Sequence, residues 1–183
     1  MLESFVDAIF NLGYVGFFFY MIVVGTFIPL PTQIILIPAG YLASQGKLDL
    51  IIIVIVTALG TTIGATINYF MANYVSKKFV DKRKIKNIQK FFDKYGKLSV
   101  ALAPLTFGLG QYISLPAGIA KMNLRWFIPL IFLSNTLWNF SMVMLGYTFG
   151  KSGNSEVTYI ITSLGLIIIL LISSFVYREI KSY

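Results

Sequence analysis

The sequence predicts an all-α integral membrane protein, an inverted-topology repeat with two re-entrant helical hairpins and about four spanning helices. Three observations carry that expectation. The 183-residue chain is 57% hydrophobic and 12% charged, with mean hydropathy +0.79, whereas soluble chains are about a quarter charged. A motif punctuated by Pro and Gly occurs twice, as Gln33-Ile34-Ile35-Leu36-Ile37-Pro38-Ala39-Gly40 and as Gln111-Tyr112-Ile113-Ser114-Leu115-Pro116-Ala117-Gly118. The basic residues fall almost entirely on one side of the predicted spans.

The elements follow in chain order. A spanning helix needs about 20 mostly apolar residues. Phe5 to Phe27, Leu48 to Val75, Leu124 to Phe149 and Val157 to Tyr177 meet that length. Ile28 to Gly46 and Leu98 to Ala120 are apolar but broken, by Pro29 and Pro31 in one and by Gly108 and Gly110 in the other. Breaks at membrane depth survive only where protein or a wet cavity satisfies the freed backbone groups. These two stretches therefore read as hairpins that dip into the bilayer and return. The chain is then one membrane domain over 1–183. Half one covers about 5–76 with hairpin 28–46, a basic amphipathic connector follows at 77–97, and half two covers about 98–177 with hairpin 98–120.

Charge sets the orientation. Nine basic residues lie between Lys77 and Lys97, against Asp81 and Asp93, so that connector is expected in the cytoplasm. With four spans both termini are cytoplasmic as well, which places Lys121, Arg125, Arg178 and Lys181 inside and leaves only Lys47 and Lys151 outside. The first hairpin then enters from outside and the second from the cytoplasm. Paired broken segments in matching halves point to a transporter substrate site near the midplane. Ile85, Ile88 and Phe92 stand at helical spacing in the connector and suit a helix lying on an anionic inner leaflet. Glu3 and Asp7, without Lys or Arg, do not look like the start of a cleavable signal peptide.

Composition also excludes chemistry. There is no His and no Cys, which removes thiol chemistry, His-based triads and nearly every transition-metal site. The seven carboxylates lie near segment ends or in the polar connector. No catalytic residue, metal or cofactor is expected. The formal charge of +8 follows the membrane rule, and no nucleic-acid partner is expected.

The candidate site is neutral. Gln33 and Gln111 each bring an amide to a hairpin, either to satisfy groups freed by the neighbouring breaks or to line a cavity. Half-helix N-termini can hold a phosphate without Arg, and Thr32 and Thr106 add hydroxyls there; simple N-capping is the plainer alternative. Pro38, Gly40, Pro116 and Gly118 shape the hairpins. Thr57, Thr61, Gly64 and Asn68 share one helix face, as do Asn135 and Asn139 with Trp138 beside them, a pattern that helix packing also explains. Gly60-x-x-x-Gly64 is the small-residue spacing on which membrane helices dimerise, so a homodimer is carried as an option. Lys121 and Arg125 stand at the cytoplasmic mouth beside Trp126, as interfacial anchors or as the cations that attract a phosphate.

Phe27-Ile28-Pro29-Leu30-Pro31 running into Pro38-Ala39-Gly40, with Gly60, Gly64 and Tyr69, resembles the DedA family of bacterial membrane proteins. So do Ser114 to Met122, Trp138, and Leu145-Gly146-Tyr147-Thr148-Phe149-Gly150. The likeness spans residues 10 to 150 in order and spacing. It implies two re-entrant hairpins, a bacterial inner-membrane location and movement of lipids between leaflets, with undecaprenyl phosphate for cell-envelope synthesis as the leading cargo and coupling to proton motive force. It also implies charged residues that this chain lacks, since Gln33, Ala65, Asn73, Pro104 and Gly110 stand at those positions. The remaining alternatives are an energy-independent scramblase for zwitterionic phospholipids and a non-transporting membrane scaffold.

Overall fold

A computed structural model describes residues 9–26, 28, 30–79, 90, 92, 94–101 and 113–151. Among these the secondary structure is helical throughout, with no strand. The named helices are α1 (Gly13–Gly25), α2 (Gln33–Ser44), α3 (Leu50–Phe79), α4 (Ser114–Ile119) and α5 (Leu124–Lys151); residues 94–101 are helical as well. Two segments are long and apolar enough to cross a membrane, Leu50–Ala72 and Leu124–Lys151. They coincide with the second and third predicted spans. The fourth, Val157 to Tyr177, lies outside the described residues.

The first predicted span is described in part. Within Phe5 to Phe27 the described residues form a short helical stretch at 9–11 and the 13-residue helix α1. At 1.5 Å per residue it is about 20 Å long, short of the roughly 30 Å hydrocarbon core. Gly13 adopts φ +57 and separates α1 from helical residues 9–11. Helices α1 and α2 follow one another, with the Pro31 region as the bend between them.

Contacts fix where each arm lies. The Asp49 backbone N–H donates to the Tyr14 hydroxyl at 2.8 Å, which ties the start of α1 to the start of α3. Gly25, at the end of α1, packs on Thr61 and Gly64, halfway along α3. Helix α2 returns to the Asp49 end, running parallel to α5. Thr32 meets Trp138, Ile37 meets Gly146 and Ser44 meets Gly150. At the other end of the bundle the Lys97 ammonium sits over the Trp126 ring, 3.1 Å from its centroid. Four residues on, the Ala101 carbonyl accepts from Ser134 Oγ at 2.6 Å. Residues 94–101 thus run inward along α5 from the Asn123 end, and α4 leads back to that end.

The long helices are antiparallel. Ile53 and Val54 share one core with Met142 and Val143, while Ala65 shares the other with Phe127 and Ile131. Aliphatic side chains outside these cores, including Ile51, Ile55, Leu59, Ile63 and Ile67 on α3 and Leu133 and Leu137 on α5, are exposed. A helix that is apolar outward and small or polar inward is suited to lipid contact.

Local sequence devices recur in both halves. Asp49 Oδ1 accepts from the N–H groups of Ile51 and Ile52 at 2.9 Å each and caps α3; Asn123 Oδ1 accepts from Arg125 N–H at 2.9 Å and caps α5. Helix α2 ends with Gly46 N–H on the Ala43 carbonyl and Lys47 N–H on Leu42. Helix α4 ends with Lys121 N–H on Gly118 and Met122 N–H on Ala117, the same Schellman closure. The left-handed residue is Gly46 (φ +73) in one and Lys121 (φ +54) in the other. Glycines mark both crossings. A Cβ on Gly40 would press on Val143, and one on Gly118 would press on Tyr69 and Ala72. Gly60 and Gly64 receive α1 through the Phe18 and Ile22 carbonyls, so this pair is filled within the chain and gives no argument for a dimer.

Candidate functional site

Along each long helix two shorter helical segments are seated one after the other on a single face. On α3 that face is Gly60, Gly64, Asn68 and Ala72, spaced by fours. The first two seat α1, and Ala72 lies against Gly118 of α4. Asn68 sits at the joint and donates through Nδ2 to the Gly25 carbonyl at 3.2 Å. On α5 the corresponding face holds Ser134 under residues 94–101, then Trp138 and Asn139, then Val143, Gly146 and Gly150 under α2. Trp138 Nε1–H donates to Thr32 Oγ1 at 3.4 Å. Tyr20 hydroxyl donates to the Pro31 carbonyl at 3.2 Å and steadies the bend from the α1 side.

The joints are where hydrogen bonding fails to close. Asn68 and Ser114 are fully buried and Asn139 is 1% exposed. Asn68 Oδ1, Ser114 Oγ and Asn139 Nδ2 have no hydrogen-bond partner. A buried orphan of this kind costs about 1–3 kcal/mol, and most buried polar groups avoid it. Thr57, Thr61 and Thr62 show the ordinary solution: their hydroxyls donate to carbonyls of their own helix at 2.7–3.0 Å. The threonine part of the α3 stripe is thereby explained by packing. The asparagines are not.

Thr32 is buried and Gln33 half-buried at the start of α2, and Trp138 bonds Thr32, so the expected site residues Thr32 and Gln33 lie at the level of the α5 turn that carries Asn139. Asn68 belongs to the other joint. Gly40 and Gly118 are buried in helix crossings, where they set interhelical distance. Pro38 faces outward within a continuous α2 and Pro116 is half-buried in α4. Lys121 and Arg125 are exposed at the Asn123 end, away from both joints. Gln111 and Thr106 lie outside the described residues. Ser114 and Trp138 were not in the expected set. Ser114 had a signal, a hydroxyl standing where the first copy of the motif has Leu36. No group of three or more His, Cys, Asp or Glu able to hold a metal occurs among the described residues.

Comparison with known proteins shows the family. A family model described as the VTT domain matches residues 30–148. The chain is 31% identical to the undecaprenyl phosphate transporter A of Bacillus subtilis, over 77% of this chain and 74% of that one. It is 25% identical to the undecaprenyl phosphate transporter A of Staphylococcus aureus, over 92% and 90%. It is 28% identical to an alkaline phosphatase-like protein of Lactococcus lactis, over 98% and 94%. No solved structure matches.

Proposed function

The chain belongs to the VTT-domain family, the DedA group of membrane proteins, and from that premise we propose that it moves a phosphate-headed lipid between leaflets, undecaprenyl phosphate first. Two similar proteins are named for that cargo. The observation that carries the reading is the pair of joints, where arms entering from opposite ends of the bundle meet at buried polar groups left unpaired. Unpaired polar groups at that depth suit a headgroup, and the exposed aliphatic flanks suit an acyl or prenyl chain that stays in lipid. The protein is a transporter, not an enzyme. It has no His or Cys, and the phosphatase-like name belongs to a relative.

The proposed architecture is an inverted-topology repeat of two re-entrant hairpins in the bacterial inner membrane. The matching caps, Schellman closures and glycine crossings of the two halves support it. Positive-inside bias puts the Asn123 end, with Lys97, Lys121 and Arg125, in the cytoplasm, and the Asp49 end, with Lys47 and Lys151, outside. The test is exchange of labelled undecaprenyl phosphate and of labelled phosphatidylethanolamine across liposomes holding the purified protein. Faster exchange of the first supports the reading. Rates equal to empty liposomes for both lipids reject it, and selective exchange of the second assigns a zwitterionic cargo.

A further inference from the structure

The start of α2 has the makings of an anion subsite. Thr32, at its N-cap, makes no side-chain cap hydrogen bond, so the first-turn N–H groups are not closed off by their own side chain. Such groups and the positive end of the helix dipole favour negative charge. A second observation is independent of this. Asn139 is 1% exposed and its Nδ2 has no partner. It lies one turn before Val143 and two before Gly146, on the α5 face that packs on Gly40 and Ile37 of α2. Its neighbour Trp138 reaches the Thr32 hydroxyl, which fixes the start of α2 at that same turn. Because α2 and α5 run parallel, Asn139 stands on the turn of α5 level with the α2 N-terminus.

Resting on the lipid-carrier reading, we propose that this turn binds the phosphate of the cargo as a charge-free oxyanion subsite. Asn139 Nδ2 donates to one phosphate oxygen, the Thr32 hydroxyl and the N–H groups of Gln33 and Ile34 donate to others, since Ile35 and Leu36 N–H already bond the Thr32 carbonyl, and Trp138 positions Thr32. The groups assembled are hydrogen-bond donors. A phosphate monoester offers several acceptor oxygens to them, whereas an ammonium headgroup finds no carboxylate on these elements. Lacking a cation, the subsite releases its anion without breaking a buried ion pair, as a carrier requires. A leucine would fill the Asn139 position without an orphan, so the amide is spent on the ligand and not on the fold.

The test uses purified protein in detergent, in a Trp126→Phe background that leaves Trp138 as the only tryptophan. Farnesyl phosphate is titrated while Trp138 emission is followed, with farnesol as the uncharged control. The expected result is a saturable change with farnesyl phosphate alone, an affinity about tenfold or more weaker in Asn139→Leu, and an unfolding midpoint for that variant equal to or above its parent. Equal responses to farnesol, affinity within twofold in a folded Asn139→Leu protein, or lost binding together with a lowered midpoint would each overturn the subsite. Asn139-dependent binding without lipid exchange in liposomes leaves the subsite standing and removes the carrier reading. Exchange that persists in Asn139→Leu does the reverse.

Discussion

Replacing Gly40 tests the packing that holds the first hairpin against α5. A Cβ there would lie 2.8 Å from the Val143 carbonyl carbon and 2.9 Å from the Tyr147 nitrogen, with the Val143 oxygen nearer still. Ordinary contact begins at 3.4 Å, and the nearest atom, the Val143 oxygen, sets the demand, so alanine must push the helices apart by more than about 1 Å. A gap of that size forfeits about half or more of each dispersion well. Over roughly 30 heavy-atom pairs at about 0.15 kcal/mol, that is about 2–3 kcal/mol. The better helix propensity of alanine returns up to about 1 kcal/mol. Leucine, with no such compensation in proportion to its bulk, forces the crossing open and loses most of those contacts, about 4 kcal/mol. Thermal or denaturant unfolding of detergent-solubilised Gly40→Ala and Gly40→Leu proteins should show that gradation. Gly146→Leu should resemble Gly40→Leu because both occupy the same crossing, and the double variant should cost little more than either single. A Gly40→Leu protein as stable as its parent, or strictly additive doubles, would refute the close parallel packing of α2 on α5.

Three further outcomes follow from named residues. Lys121→Gly should raise stability by about 1 kcal/mol, because Lys121 holds φ +54 at the end of α4, where its counterpart is Gly46; the check is the unfolding midpoint. Asp49→Ala should lower stability by about 1 kcal/mol through loss of the cap on Ile51 and Ile52 N–H, with Asp49→Asn largely restoring it. Lipid exchange should be the same within error with or without a pH gradient across the liposome, because no carboxylate falls within Leu50–Ala72 or Leu124–Lys151 to carry a proton; a several-fold dependence would show coupling through another group.

The parts of the fold legible in the sequence are those that hydropathy and local chemistry decide. Spans beginning at Leu48 and Leu124 were readable because a long apolar run bounded by Asp49 or Asn123 has one economical use in a bilayer. The shared ending of α2 and α4 was readable because each motif copy carries its Pro and Gly at the same offsets, and both helices end in the same closure and cross a neighbour at a glycine. Where α1 ends within Phe5 to Phe27 was not. A hydropathy window marks the apolar run but not the point at which the Gly25 carbonyl meets the Asn68 amide. Gly13 and Gly25 were the available hints, and glycine alone does not say whether a helix ends. Gly60 and Gly64 likewise declare a close approach without naming the helix that makes it, which proved to be α1. The asparagines could be picked out as polar residues in apolar helices. That one amide of Asn139 goes unpaired depends on where α2 starts, which is a tertiary fact. Gln33 drew attention as one of a repeated pair, whereas Trp138 gained significance only once Thr32 was placed beside it.

The opposed entry of the two hairpins is tested most directly by side-specific labelling, which the absence of native cysteine makes clean. Lys47→Cys and Lys121→Cys proteins, each with one exposed thiol at the mouth of a different hairpin, are treated in intact cells and in inverted vesicles with a membrane-impermeant maleimide. The account expects Cys at position 47 to react only from outside and Cys at position 121 only from the cytoplasm. Reaction of both from the same side would contradict it.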